Sequence, residues 1–167
     1  SLTKIIKGGK MATINFVLTK LDKQDITHPI SVNPPVGELL YSLTRNIKPK
    51  VVVEIGTFIG YSTICFAQAM EDNQQNEGIV YSIDVFFLPF ISNPNLPQDI
   101  DDPYSIAVSN IKEAHLEHRV KLLKGKSSEI APKLLKKINN IDILFIDGDH
   151  SYKGVLADYN LYHVHVK

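Results

Sequence analysis

Among 167 residues there is one cysteine, Cys65, so no internal disulfide can form, and no Cys/His spacing suits zinc. Net charge is also missing: Lys+Arg and Asp+Glu both count 18. That removes the basic footprint expected of a nucleic-acid binder. No apolar run approaches the roughly 18 residues a membrane helix needs, so no membrane partner is expected. Residues 1–10 carry lysines but no long apolar stretch and no small-residue cleavage site. No secretory signal is expected there, and the absences together point to the cytoplasm. Disorder is excluded as well, because 44% of residues are hydrophobic and 22% charged. The length suits one domain, which can bury about 70% of its unfolded surface without a staple.

Residues 1–30 show weak periodicity and read as an arm before a domain over 31–167. Asn33-Pro34-Pro35 opens a helix, because Val36, Leu39, Leu40, Leu43 and Ile47 recur at helical spacing and prolines are tolerated in a first turn. Val51–Ile55, Ile79–Ile83, Val120–Leu123 and Ile141–Ile146 are short apolar runs, hence buried strands. Helices are predicted at Gly60–Met70, from Pro103 with Asp102 as cap, at Ser127–Ile138, and from Tyr152 to about His163. Strands alternating with helices predict a doubly wound α/β domain with a mainly parallel sheet. Phe86, Phe87, Leu88, Phe90 and Ile91, after the second strand, are too apolar for an ordinary loop. They suggest a substrate-side lid, a subunit contact or a satellite core.

Ligands of such folds bind outside the carboxyl ends of the strands. The first end reads Glu54-Ile55-Gly56-Thr57-Phe58-Ile59-Gly60-Tyr61-Ser62. Gly56 permits a tight turn and close backbone approach. Gly60 stands where a helix begins, so free amides near Tyr61 and Ser62 can hold an anion. The spacing is not the dinucleotide G-x-G-x-x-G. Gly125-Lys126-Ser127 imitates the end of a P-loop, but Val120 occupies the required earlier glycine. Asp84, 30 residues after Glu54, ends the second strand, where a carboxylate can accept both ribose hydroxyls. Asp147, Asp149 and His150 cluster after the fourth strand, either as a reactive group or as a capped turn with a surface histidine. Cys65 reads as helix core. His163 and His165 read as solvated, and His115 and His118 as cations suited to a helix C-terminus.

Val53–Ser62 resembles the first motif of class I S-adenosylmethionine-dependent methyltransferases, nearest the catechol and caffeoyl-CoA type of small O-methyltransferases. Phe145–Tyr152, followed by Gly154-Val155-Leu156-Ala157-Asp158, is similar to a sister group that includes macrolide-sugar O-methyltransferases. The resemblance covers about four-fifths of the chain, from Val32 onward. It implies a Rossmann-like methyltransferase sheet, S-adenosylmethionine as cofactor, and a small-molecule hydroxyl as acceptor; a homodimer is compatible with it. By the same resemblance, Gly56, Thr57, Phe58 and Gly60 would line the cofactor's methionine and ribose, and Ser62 would bind its carboxylate. Glu54 would support the loop or the cofactor's amino end. Asp84 would hold the ribose, with Val85 against the adenine. Ser127 and Ser128 would bracket the adenine edge, and Val32 would close over the cofactor. Asp147 would face the methionine ammonium and, with Asp149, a divalent metal such as magnesium. His150 falls where related enzymes carry a lysine base. Asn33-Pro34-Pro35-Val36 imitates the loop of nucleic-acid amino-methyltransferases, but Val36 cannot stack on a flipped base.

One departure stands out. The class usually has seven strands ending in an antiparallel hairpin, and this sequence stops 17 residues after His150, before that hairpin. An inactive cofactor-binding or oligomerisation module is therefore one alternative to an enzyme. An NAD-dependent dehydrogenase on the same sheet is another, disfavoured by the glycine spacing.

Overall fold

The computed structural model describes residues 32–74, 77–87 and 102–167. The expected arm over 1–30 and Leu88, Phe90 and Ile91 of the apolar connection lie outside these residues. In chain order the elements are α1 (Pro34–Ile47), β1 (Val51–Ile55), α2 (Tyr61–Asp72), β2 (Ile79–Asp84), α3 (Pro103–Glu113), β3 (Val120–Lys124), α4 (Ser127–Lys137), β4 (Ile143–Ile146) and α5 (Tyr152–Tyr162). A 3-10 turn, His163–His165, follows.

The four strands form one sheet in the order β3-β2-β1-β4, and every pairing is parallel. Alternation along each strand divides the core in two. Val52, Val80, Val120, Ile143 and Phe145 pack on the side of α1, α2 and α3. Val53, Ile55, Ile83, Leu144 and Ile146 pack on the other side with Leu134, Ile138 and Tyr162 of α4, its C-terminal flank and α5. Each strand is therefore apolar on both faces, which is why it reads as a continuous run rather than an alternating one. This is the doubly wound α/β architecture that strand–helix alternation predicts.

Helix α2 is the most enclosed helix, with residues 61–70 all buried. Phe66 meets Phe145 edge to face at 5.7 Å. Helix α1 begins where the Asn33 side chain accepts the Val36 amide at 3.1 Å, with Pro34 as its first residue. It ends at Lys48, in a left-handed conformation just before Pro49. Its buried face differs from the apolar stripe. Gly37, Leu40 and Thr44 face α2, while Leu39, Leu43 and Ile47 are exposed. The reason is Gly37: a Cβ there would stand 2.6 Å from the Tyr61 ring, so the helices approach at the glycine and Leu40, and Leu39, Leu43 and Ile47 are left outside the contact.

Three smaller differences have local causes. β4 begins at Ile143 because Ile141 bridges Val166 instead, donating its amide to His165 O at 2.9 Å. Asp142 Oδ2 accepts the amides of Lys50 and Val51, which locks the start of β1 to this corner. Asp102 precedes α3, and its carboxylate takes the Ser105 hydroxyl. Cys65 is buried, and His163 stacks on Tyr159 at 4.4 Å. His118 sits beyond α3 and contacts Glu71.

Glu71, near the end of α2, joins His118 and the buried Arg119, each at 3.0 Å. The His118 hydrogen bond, opposed by partial burial and aided by Arg119, holds the Glu71 carboxyl down at about 2. A carboxyl lowered in the folded state stabilises the protein above its unfolded value and loses that contribution as pH falls through the folded one. Stability to urea should therefore drop between pH 4.5 and about pH 2. Glu71→Gln should flatten that part of the profile, and an unchanged acid limb in the variant would show that this cluster is not responsible.

Candidate active site at the strand ends

β1 pairs with β2 on one side and with β4 on the other, so the chain reverses direction across the sheet at β1. Open α/β sheets bind ligands outside the carboxyl ends at such a switch point. A cleft of about 610 Å³ lies there. That volume is typical of a site for a nucleoside-sized ligand.

The floor is a backbone weave. The Gly56 amide donates to Ile83 O, that of Asp147 to Ile55 O and that of Gly125 to Asp84 O. Gly56 has φ +96, and a Cβ would stand 2.2 Å from the Asp147 carbonyl oxygen. Close approach of β4 thus dictates this glycine. Gly60 has φ +89, but its added Cβ would find nothing nearer than 3.6 Å.

Asp84 organises the rim. Its Oδ2 accepts the amides of Thr57 at 2.7 Å and Phe58 at 2.8 Å, and its Oδ1 accepts that of Phe86 at 2.6 Å. Phe58 and Phe86 both have left-handed backbones, φ 50 and 51. Such a conformation costs a bulky residue about 1–3 kcal/mol. Bonds to a charged acceptor contribute about 1.5–3 kcal/mol each, so the carboxylate offsets the strain it imposes. Phe86 is buried edge to face against Tyr104, whereas Phe87 is exposed at the cleft.

Beneath the loop, Glu54 is fully buried. Its Oε2 accepts the hydroxyls of Thr63 and Thr57, and Thr63 stands 3.1 Å from Ser82. Burial pushes the Glu54 carboxyl up against the opposing pull of the Ser62, Thr63 and Ser82 hydroxyls. Its Oε1 has no hydrogen-bond partner among the described residues. Glu54 therefore underpins the loop and does not line the cleft.

The opposite wall carries Asp147 and His150. Burial raises the Asp147 carboxyl, with His150 nearby acting against the rise. His150 is exposed at the cleft. Asp149 is exposed too, and its Oδ1 accepts the Ser151 amide, which holds its carboxyl low. Ser151 in turn accepts the Gly154 amide and starts α5. Among the described residues, no three His, Cys, Asp or Glu side chains gather as a metal site. Asp147 and Asp149 both line the cleft, and Asp149 gives one carboxylate oxygen, Oδ1, to its own turn.

The cleft thus brings together Gly56, Thr57, Phe58, Ser62, Asp84, Val85, Ser127, Ser128, Asp147, Asp149 and His150. Gly60 caps α2 without lining it, and Val32 packs on the core beside α1 and α2. Sequence reasoning missed Lys126, Gly154, Ala157, Asp158 and Leu161 as cleft residues. The last four recur at i, i+3, i+4 and i+7, one face of α5, a signal the sequence does carry.

A sequence profile described as "Methyltransferase domain" matches residues 53–167, well over half of the chain. The chain belongs to this methyltransferase-domain family. Among curated relatives, a catechol O-methyltransferase of Niastella koreensis is 32% identical over 123 residues, covering 72% of this chain and 47% of the relative. A caffeoyl-CoA O-methyltransferase of Stellaria longipes is 26% identical over 139 residues, covering 79% and 50%. The chain spans about half the length of these relatives. Two solved structures share the fold, each with a TM-score of 0.70. The O-methyltransferase of Bacillus cereus in complex with SAH is 24% identical, over 100% of this chain and 66% of its own. TomG of Streptomyces achromogenes, in complex with SAM, is 22% identical, over 100% and 65%. No helix among the described residues is long and apolar enough to cross a membrane.

The two loop glycines should separate on mutation. Gly60→Ala should lose about 1–2 kcal/mol, the cost of a left-handed backbone alone. Gly56→Ala adds a collision with the end of β4 and should lose more than about 3 kcal/mol. Urea unfolding of both variants checks the order, and equal losses would contradict the close approach.

Proposed function

We propose that this methyltransferase-family domain binds S-adenosylmethionine in the strand-end cleft and methylates a hydroxyl of a small molecule. One observation carries the reading: the Asp84 carboxylate pins the loop after β1 while facing the same cleft as Asp147 and His150. The family membership and the names of the relatives support it.

The residues present fit the cofactor. Asp84 spends three of about four lone-pair directions on amides and keeps one for a ribose hydroxyl. Ser62, in the first turn of α2, lines the cleft among amides that lack intrahelical partners, a setting for a carboxylate. Val85, exposed at the rim, offers an apolar face to a purine. Asp147, half-buried and facing the cleft, offers a negative end to an ammonium. When bound, S-adenosylmethionine supplies an activated methyl group. The chain's own tasks are then to orient the acceptor oxygen and take its proton. His150 is the base in this reading: imidazole suits proton acceptance near neutral pH, and its exposure admits an acceptor. The balanced charge and the lone buried cysteine support a small-molecule acceptor and a cytoplasmic setting.

Two measurements test this. Calorimetry should show S-adenosylhomocysteine binding in preference to NAD. Asp84→Ala should weaken that binding by at least tenfold, about 1.4 kcal/mol, since a charged acceptor is lost. Unchanged affinity in a folded variant would remove Asp84 from the cofactor site. Separately, methyl transfer to a panel of catechols and caffeoyl-CoA should fall by about 10²–10⁴ in His150→Ala, with cofactor affinity nearly constant. Wild-type turnover by that variant across pH 6–9 would return His150 to a turn residue.

A further inference from the structure

Helix α5 buries two residues, and one of them is a carboxylate. Asp158 is 7% exposed and Tyr162 wholly buried. Buried carboxylates are normally paired with a cation or satisfied by hydrogen bonds. Among the described residues no cation forms an ion pair with Asp158. Its Oδ1 accepts the Ser127 hydroxyl, and the Ser127 carbonyl accepts the Tyr162 hydroxyl at 2.9 Å. Its Oδ2 receives no hydrogen bond from a described residue, and Asp158 lines the cleft beside Ser127 and Ser128. One carboxylate oxygen is thus fixed by Ser127, whose backbone Tyr162 holds in turn, and the other is still to be used.

The neighbouring group is of the opposite kind. In α4 the first intrahelical bonds come from Glu129 and Ile130, both to Lys126 O. The amides of Ser127 and Ser128 precede that ladder and have no intrahelical acceptor. A buried acceptor beside a free donor matches one edge of adenine, whose exocyclic amine donates while the adjacent ring nitrogen accepts. A 6-oxo purine presents the reverse pattern, an acceptor oxygen beside a ring N–H donor.

We propose that Asp158 accepts a hydrogen bond from the exocyclic amino group of the cofactor's purine, with Ser127 fixing the carboxylate, so that the site selects a 6-amino over a 6-oxo purine. This rests on the cofactor assignment above, and names the residue that reads the base. A 6-oxo ligand would set its carbonyl oxygen against the carboxylate. A site built to hydrogen-bond one group rejects an analogue that leaves its buried polar atoms unpaired.

The test is calorimetric titration of the full chain with S-adenosylhomocysteine and with S-inosylhomocysteine, which differ only at that edge. Wild type should favour the adenine compound by at least about tenfold. In Asp158→Asn the side-chain amide can turn either its oxygen or its nitrogen to the base, so the preference should fall to within about threefold. Equal wild-type affinities would overturn the proposal without any variant, even if Asp158→Asn does not fold. A variant that loses affinity for both ligands equally, with the ratio intact, would also overturn it, leaving Asp158 a structural tie between α4 and α5. Wild-type binding of the adenine compound without a preference over the inosine one thus refutes only the Asp158 role. Failure of wild type to bind either ligand refutes the cofactor assignment, and this proposal with it.

Discussion

The strand-end cleft depends on the Asp84 carboxylate. Without it, the amides of Thr57, Phe58 and Phe86 would lose their acceptor, and two phenylalanines would keep left-handed backbones with nothing to offset the cost. A short carboxylate at the end of β2 reaches the loop after β1 only because the strands are parallel neighbours in register, with Ile55 opposite Ile83. Strand pairing, loop shape and cleft are in this way one constraint. The same geometry leaves the Asp84 carboxylate at the cleft wall.

A second layer of buried polar groups supports the first. Glu54 lies beneath the loop and takes hydroxyl bonds from the start of α2, while Asp158 takes one from the start of α4. Both are carboxylates set near the N-terminus of a helix that springs from a strand end, where the helix dipole favours negative charge. They differ in what they face. Glu54 is sealed off from the cleft and its carboxyl is pushed up by burial, whereas Asp158 forms part of the cleft wall. This repetition comes from the architecture: each βα turn brings a helix start to the same edge of the sheet.

The legible part of the site lies in the βα turns themselves. Eleven of the expected residues converge because they follow strands that end at one edge, and a strand run with its trailing turn can be read in sequence. Asp149 read equally as part of a reactive group or as a turn cap, and its bond to the Ser151 amide, which depends on the local path of the chain, is what the structure adds. Val32 packs on the core just before α1, and Gly37 marks where that helix meets α2. A hydrophobic stripe alone selects the leucines, and steric fit at a glycine overrides it.

Composition and periodicity by themselves determined the alternation of strands and helices, the parallel sheet that follows from runs apolar on both faces, and the strand ends as the place for chemistry. These are local properties: each needs only the residues within one element or one turn. Tertiary structure alone decided which oxygen meets which amide. Asp84 holds a loop from another strand, 26 and 27 residues away, and Ser127 meets Asp158 across 31 residues. Those contacts depend on strand order and on how closely two backbones approach, and hydrophobic spacing carries neither quantity.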